Sequence, residues 1–284
     1  MNPGRLAARL GVARGWAEFR HTITDPQTIG YMIFINGIFL LVLFFQRNGT
    51  IGDTTVSLAA LTLPSLLGLV VATNGLMGVG SVLAVNREDG TLLRAKAIPG
   101  GMTGYLVARV VESGLTVALG LVVILLPGLL MVDGLMSGGA AGLALLVFVV
   151  ALGLLATVPW GAVIGSLASS PQSAFGLCML PTMGLVSISG IFYPITAMPG
   201  WLQGVAQVFP FYWLGLGMRA AFLPDGAVVA ELGESWRYLE TVGVLGAWAV
   251  VGLLIAPTVL RRMARRESGS AVETRRQRAM QRVS

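Results

Sequence analysis

Few side chains in this sequence can do covalent or acid–base chemistry, and their types and spacing exclude most of it. His21 and Cys178 are each the single residue of their kind, so neither an internal disulfide nor a Cys/His zinc cluster can be assembled. Cys178 sits in an apolar run, the setting of a small buried hydrophobe rather than a reactive thiolate. Lys96 is the only lysine and Ala97 follows it, which leaves no place for the Gly-Lys-Ser/Thr end of a phosphate-binding loop. No Gly-x-Ser-x-Gly elbow occurs, and His21 lies outside the apolar runs, so an intramembrane nucleophile would lack its base. Arg109 and Glu112, three apart at the start of an apolar run, share a helix face and can pair. A proton-driven pathway needs a titratable group at mid-membrane depth, and the runs offer none. What remains is a charged segment, Arg87, Glu88, Asp89, Arg94 and Lys96 ahead of Pro99. From composition it reads either as a solvated positive-inside loop or as a charged helix on the membrane that docks a soluble partner.

The elements that must position that segment follow from composition. Of 284 residues, 55% are hydrophobic and 11% charged, with mean hydropathy +0.80. A soluble domain carries roughly 25% charged residues, so the chain reads as an all-α integral membrane protein. The apolar runs predict six transmembrane helices, over about 29–45, 56–85, 105–132, 138–167, 171–191 and 241–260. Pro64 offers a kink in the second. Residues 1–28 carry Arg5, Arg9, Arg14 and Arg20, and Val12, Trp16, Phe19 and Ile23 form one helical stripe, which predicts an N-terminal amphipathic interfacial helix. No small-x-small cleavage site follows the first apolar run, so these residues read as part of the mature protein. Between runs five and six, Tyr193, Pro194, Pro199, Trp201, Pro210, Tyr212 and Trp213 interrupt stretches too short to cross, which predicts a re-entrant helix pair. The organisation is thus 1–28, a six-span domain over 29–260, and an arginine-rich tail over 261–284, read as topology fixation with lipid headgroups as its natural contacts.

Basic residues set the orientation. Six spans place both ends of the chain on one side, together with Arg87, Arg94, Lys96, Arg109 and the arginines from Arg261 onward, whereas Arg47, Arg219 and Arg237 fall on the other. Both termini are therefore expected in the cytoplasm, with the chain multi-pass in the cell membrane. The arginines come with no nucleic-acid reader fold. Gly161 and Gly165, and Gly138 and Gly142, have the spacing of close helix packing.

The order of residues adds a resemblance. Asn86-Arg87-Glu88-Asp89-Gly90-Thr91-Leu92, then Arg94, Ala97, Ile98 and Pro99, resembles the segment after the second span of type-2 ABC transporter permeases, the ABC-2 family, with Ile98 where threonine is usual. Ser189-Gly190-Ile191-Phe192-Tyr193-Pro194, Met198-Pro199-Gly200-Trp201-Leu202, and Phe209-Pro210 with Arg219 resemble the family's segments after span 5, with Phe209 in place of asparagine. The drug-resistance and nodulation-factor export branch is the nearest in pattern.

That resemblance implies a permease subunit without its own ATPase site. It would move an amphiphilic or hydrophobic compound, a drug, antibiotic or lipid-like molecule, out of the cell. It implies two copies of a separate ATPase subunit, which bind ATP and Mg, and a second permease chain, identical or related. Arg87, Glu88, Asp89, Gly90, Thr91 and Arg94 would form a cytoplasmic coupling helix between spans 2 and 3, with Gly90 making the turn and Thr91 capping. Phe192, Tyr193, Pro194, Pro199, Trp201, Tyr212 and Arg219 would form the outer gate. Asn36, Thr73, Asn74, Ser187 and Ser189 are candidate path-lining residues, with hydrogen bonding between helices as their ordinary use. The rival readings are a membrane assembly or immunity protein of the same fold that does not transport, and, with less support, an intramembrane enzyme.

Overall fold

The computed structural model describes residues 3–49, 57–98, 100–132, 135–136, 138–168 and 170–266. Pro99, between the second and third apolar runs, and the tail beyond Arg266 lie outside the described residues. Among the described residues there are eleven α-helices: α1 (Pro3–Thr24), α2 (Pro26–Gln46), α3 (Leu58–Thr73), α4 (Val79–Glu88), α5 (Thr91–Ala97), α6 (Gly101–Met131), α7 (Gly139–Leu167), α8 (Pro171–Ile188), α9 (Gly200–Val208), α10 (Pro210–Phe222) and α11 (Tyr238–Arg266). Five stretches of the described residues are long and apolar enough to cross a membrane: Pro26–Gln46, Leu58–Glu88, Gly101–Met131, Gly139–Leu167 and Tyr238–Met263. The expected fifth span is α8, which is shorter and opens on Pro171, Gln172 and Ser173, and it is not among the five.

The second stretch is one rod made of three pieces. Pro64 lies inside α3 without ending it. The departure from regular helix comes further on, at Asn74–Gly78, where the turn widens to a π-helix before α4 resumes. α3 is buried on every side, as expected of a helix that is apolar all round. α6 runs along it in the opposite sense, Gly128 lying against Leu63 and Gly120 against Val70.

α1 packs on α6 through a face other than most of its apolar stripe. Its buried face is Ala7, Gly11, Gly15 and Phe19, while Val12 and Trp16 are exposed. Gly11 and Gly15 let the helix sit directly on α6, since a Cβ at either would meet the backbone oxygens of Gly104 or Ala108 at 2.6 Å. Small residues, not the large apolar ones, thus set this contact. Asp25 ends α1 and caps α2 by accepting from the Thr28 N–H at 2.8 Å, and the Thr28 hydroxyl bond holds its carboxyl below the usual range.

α10 is the most enclosed element. Thirteen residues span about 20 Å, too short to cross a bilayer, yet nearly every one is buried. It lies antiparallel to α7, with Ala221 at Gly142, Gly217 at Val149 and Leu214 at Gly153, and Gly68 of α3 closes on Leu214 and Gly215. Phe209, at the start of α10, meets the ring of Trp248, which packs edge-on against Trp160. The α9–α10 connection therefore reaches about ten residues down α11. Two short helices do fill the region between α8 and α11, as expected from the broken apolar stretches.

Candidate functional site

The charged segment occupies one end of the bundle. α4 ends at Glu88, Asp89 and Gly90 turn the chain, and α5 follows. Gly90 has φ +78°, a left-handed conformation that glycine adopts without strain. The cap differs from expectation: Asp89 Oδ1 accepts from the Thr91 N–H at 2.8 Å, and Thr91, already the first helical residue, instead accepts from Arg94 Nη2 at 2.9 Å. A carboxylate two residues earlier fits the positive end of a helix better than a hydroxyl does. Leu92 and Ala95 of α5 are buried with Val79, Leu83, Tyr105, Ala162 and Met263 in a small core of their own. Arg94, Lys96 and Ile98 are exposed.

Arg87 does not belong to that outward face. Its Nη1 donates to the carbonyls of Ser166 at 2.7 Å, Ala168 at 3.1 Å and Gly165 at 3.4 Å. These are carbonyls at the end of α7, which no intrahelical donor serves, and the positive charge complements the helix dipole. Arg87 thus fastens α4 to α7. Asn86, one residue earlier, donates to the Tyr105 hydroxyl at 2.9 Å, tying the same turn to α6. On the neighbouring face Arg109 pairs with Glu112 at 3.4 Å, as the spacing suggested, and also with Glu18 of α1, a link that sequence reasoning missed.

At the opposite end the expected gate residues fall into two groups. Tyr193, Pro199 and Trp201 are exposed, Phe192 and Pro194 are half-buried, and Tyr212 and Arg219 are enclosed within α10. Gln46 at the end of α2 donates to the Phe192 carbonyl at 3.3 Å, and Tyr193 donates to the Ser187 carbonyl. Arg219 is 2% exposed and grips Glu231 with two bonds, Nε to Oε1 at 2.5 Å and Nη2 to Oε2 at 3.0 Å. Its Nη1 donates to Ser65 Oγ at 2.7 Å and to the Gly190 carbonyl at 3.5 Å. Removing one partner of such a pair leaves an uncompensated buried charge, a loss of about 3–5 kcal/mol. Glu231 and Ser65 were not singled out from the sequence. Glu231 shares its stretch with Asp225, Glu234 and Glu240, and nothing in the sequence separates it from them.

The five expected path residues are not brought together by hydrogen bonds. Asn36 donates to Met32 O at 2.6 Å, Thr73 to Leu69 O at 2.7 Å, and Asn74, Ser187 and Ser189 to Val70 O, Met183 O and Val186 O at 2.9 Å. These bonds return to each residue's own helix, a correction to the expected bonding between helices. The local carbonyl three or four residues back is always within reach of a short side chain. The glycine spacings behave as expected: a Cβ at Gly161 would lie 2.4 Å from Gly75 O, one at Gly165 2.3 Å from Gly80 O, and one at Gly142 2.4 Å from Ala221 O. Among the described residues no group of His, Cys, Asp and Glu could hold a metal ion.

Comparison with known proteins places the chain in a family. Residues 12–223 match the family model described as ABC-2 type transporter. The chain is 26% identical over 195 residues to a probable multidrug ABC transporter permease, YbhR, of Escherichia coli (strain K12), covering 66% of this chain and 50% of the relative. It is 28% identical over 208 residues to the daunorubicin resistance ABC transporter permease protein DrrB1 of Streptomyces coeruleorubidus, covering 69% of this chain and 68% of that one. The chain thus spans about half the length of the first of these relatives. Five membrane-length apolar helices and a family match over most of the sequence make this a multi-pass membrane protein, and the chain belongs to the ABC-2 type transporter family.

Proposed function

We propose that this chain is the membrane-spanning permease of an ATP-driven exporter, coupled to a separate ATPase subunit and moving an amphiphilic or hydrophobic compound. The observation that carries the reading is the placement of α5, a short helix seated on its own apolar core with Arg94, Lys96 and Ile98 turned outward. α4 leads into it, and α4, α6, α7 and α11 all contribute residues to that core, so force applied to α5 reaches four helices at once. In this reading α8 is the fifth of six spans, both termini are cytoplasmic, and α5 is the coupling helix. α9 and α10 form a re-entrant outer gate. Two ATPase copies, binding ATP and Mg, act on two permease chains. The substrate class is supported by the near absence of charged side chains from the spans and by the two relatives, one named for multidrug transport and the other for daunorubicin resistance.

Mild-detergent purification of the tagged chain from its native host tests the reading. A P-loop ATPase should co-purify in stoichiometric amount, as identified by mass spectrometry. Repeated isolation without one would overturn the proposal. Glu88→Ala should insert into the membrane normally and lower substrate-stimulated ATP turnover in the purified complex, and unchanged turnover would remove Glu88 from the coupling role.

A further inference from the structure

Arg219 and Glu231 are the only fully buried charged residues among those described. Charges enter an apolar interior only when paired and hydrogen-bonded. Stability alone does not explain this pair, because apolar residues of the same volume serve at least as well. What the guanidinium supplies is direction. It fixes four chain segments to one another: α10 through Arg219 itself, the α10–α11 connection through Glu231, α3 through Ser65, and the turn after α8 through the Gly190 carbonyl. That turn is held in a left-handed conformation at Gly190, φ +69°. The Ser65 hydroxyl donates its own hydrogen to Leu61 O at 2.7 Å, which leaves its oxygen oriented to accept from Arg219 and nothing else to do. A planar fork of fixed donors holds such a set in only one relative position.

Ser65 also lies on the rod that leads to the coupling end. α3 continues through the π turn and α4 directly into the Asp89–Gly90 turn and α5. We propose that Glu231 and Ser65, acting through Arg219, are positioning residues that clamp the outer segment to α3 in the closed state. A shift of α3 driven from the α5 end then releases the clamp and opens the outer end. This rests on the reading of the chain as an ATP-driven permease. None of the three side chains needs to touch substrate; they set where α10 and its flanking turns sit.

The experiment uses the full chain in vesicles of phosphatidylethanolamine and phosphatidylglycerol with a trapped iodide-sensitive dye, and, where an ATPase co-purifies, the whole complex. Glu231→Gln and Ser65→Ala should each raise iodide entry in the absence of ATP several-fold and raise ATP turnover without added substrate. Glu231→Asp, which keeps the charge, should return both toward the wild-type values, a rescue that a general packing defect would not show. Wild-type leak and turnover in both Glu231→Gln and Ser65→Ala would overturn the clamp. Should Glu231→Gln fail to fold, Ser65→Ala removes one hydrogen bond only and decides the question by itself. The leak is read without ATP or ATPase, so it tests the clamp even where no ATPase co-purifies, an outcome that overturns the exporter reading instead.

Discussion

At the scale of single residues, Arg87 and Arg94 stand seven positions apart in one charged segment and do opposite things. Arg87 faces inward and serves three carbonyls at the end of α7, whereas Arg94 is exposed and bonds only to its own turn. Arg87→Ala should therefore lower the melting temperature of the detergent-purified chain, at a cost of about 1–3 kcal/mol for stranded buried carbonyls. Arg87→Lys should recover only part of this, because a compact ammonium lacks the guanidinium's breadth. Arg94→Ala should leave the melt unchanged within about 0.5 kcal/mol and instead reduce ATP turnover of the complex. Equal melts for Arg87→Ala and Arg94→Ala would refute the division. The turn at Gly90 was legible in the sequence, since a glycine between charged residues and a new helix has a local conformational meaning. The inward turn of Arg87 was not, because its partners lie 78 to 81 positions away. Glu231 was hidden for another reason: Arg219 is only 12 positions away, but no helical repeat links the two across the α10–α11 connection.

Among the elements, the contact between α7 and the second apolar rod is made of glycine against backbone. Gly75 and Gly80 are five apart, about 140° around a regular α-helix, yet both face α7, Gly75 against Thr157 and Gly80 against the Gly161 carbonyl. The π turn at Asn74–Gly78 absorbs the extra residue and brings them onto one face. Gly161 and Gly165 could be read as a packing pair because four residues is a helical repeat. Their partners could not, since the π turn breaks the repeat that sequence periodicity relies on. Gly161→Ala places a Cβ 2.4 and 2.5 Å from the Gly75 and Leu76 carbonyl oxygens, backbone atoms with little room to yield. It should destabilise by roughly 1–3 kcal/mol. Gly243→Ala, with nothing within 4 Å of its Cβ, should be neutral or stabilise α11 by about 0.5–1 kcal/mol. Paired thermal melts check both, and a neutral Gly161→Ala would show that the helices are not in this register. In α1 the apolar periodicity of Val12, Trp16, Phe19 and Ile23 did not reveal the packing face, because Gly11 and Gly15, which allow the close approach to α6, carry no side chain that could enter a hydrophobic pattern.

For the molecule as a whole, the two ends differ in construction. One large core joins α3 and α10 to parts of α6, α7 and α11, and a separate small core lies beneath α5. A single rod, α3 through α4, runs from the first to the second, which suits a device that receives force at one end and opens at the other. The membrane character was plain from composition, because runs of this length have no other stable setting. The enclosure of α10 was less so: a broken apolar stretch says that a helix is short, not what surrounds it. The account requires that α5 and α9 lie on opposite sides of the membrane, with the ATPase on the α5 side. In a Cys178→Ala background, single cysteines at two exposed positions, Lys96→Cys and Trp201→Cys, test this in intact cells and native membranes. Lys96→Cys should cross-link to the ATPase subunit and resist a membrane-impermeant maleimide added outside, while Trp201→Cys should take the label and form no cross-link. External labelling of Lys96→Cys, or a cross-link from Trp201→Cys to the ATPase, would contradict the account.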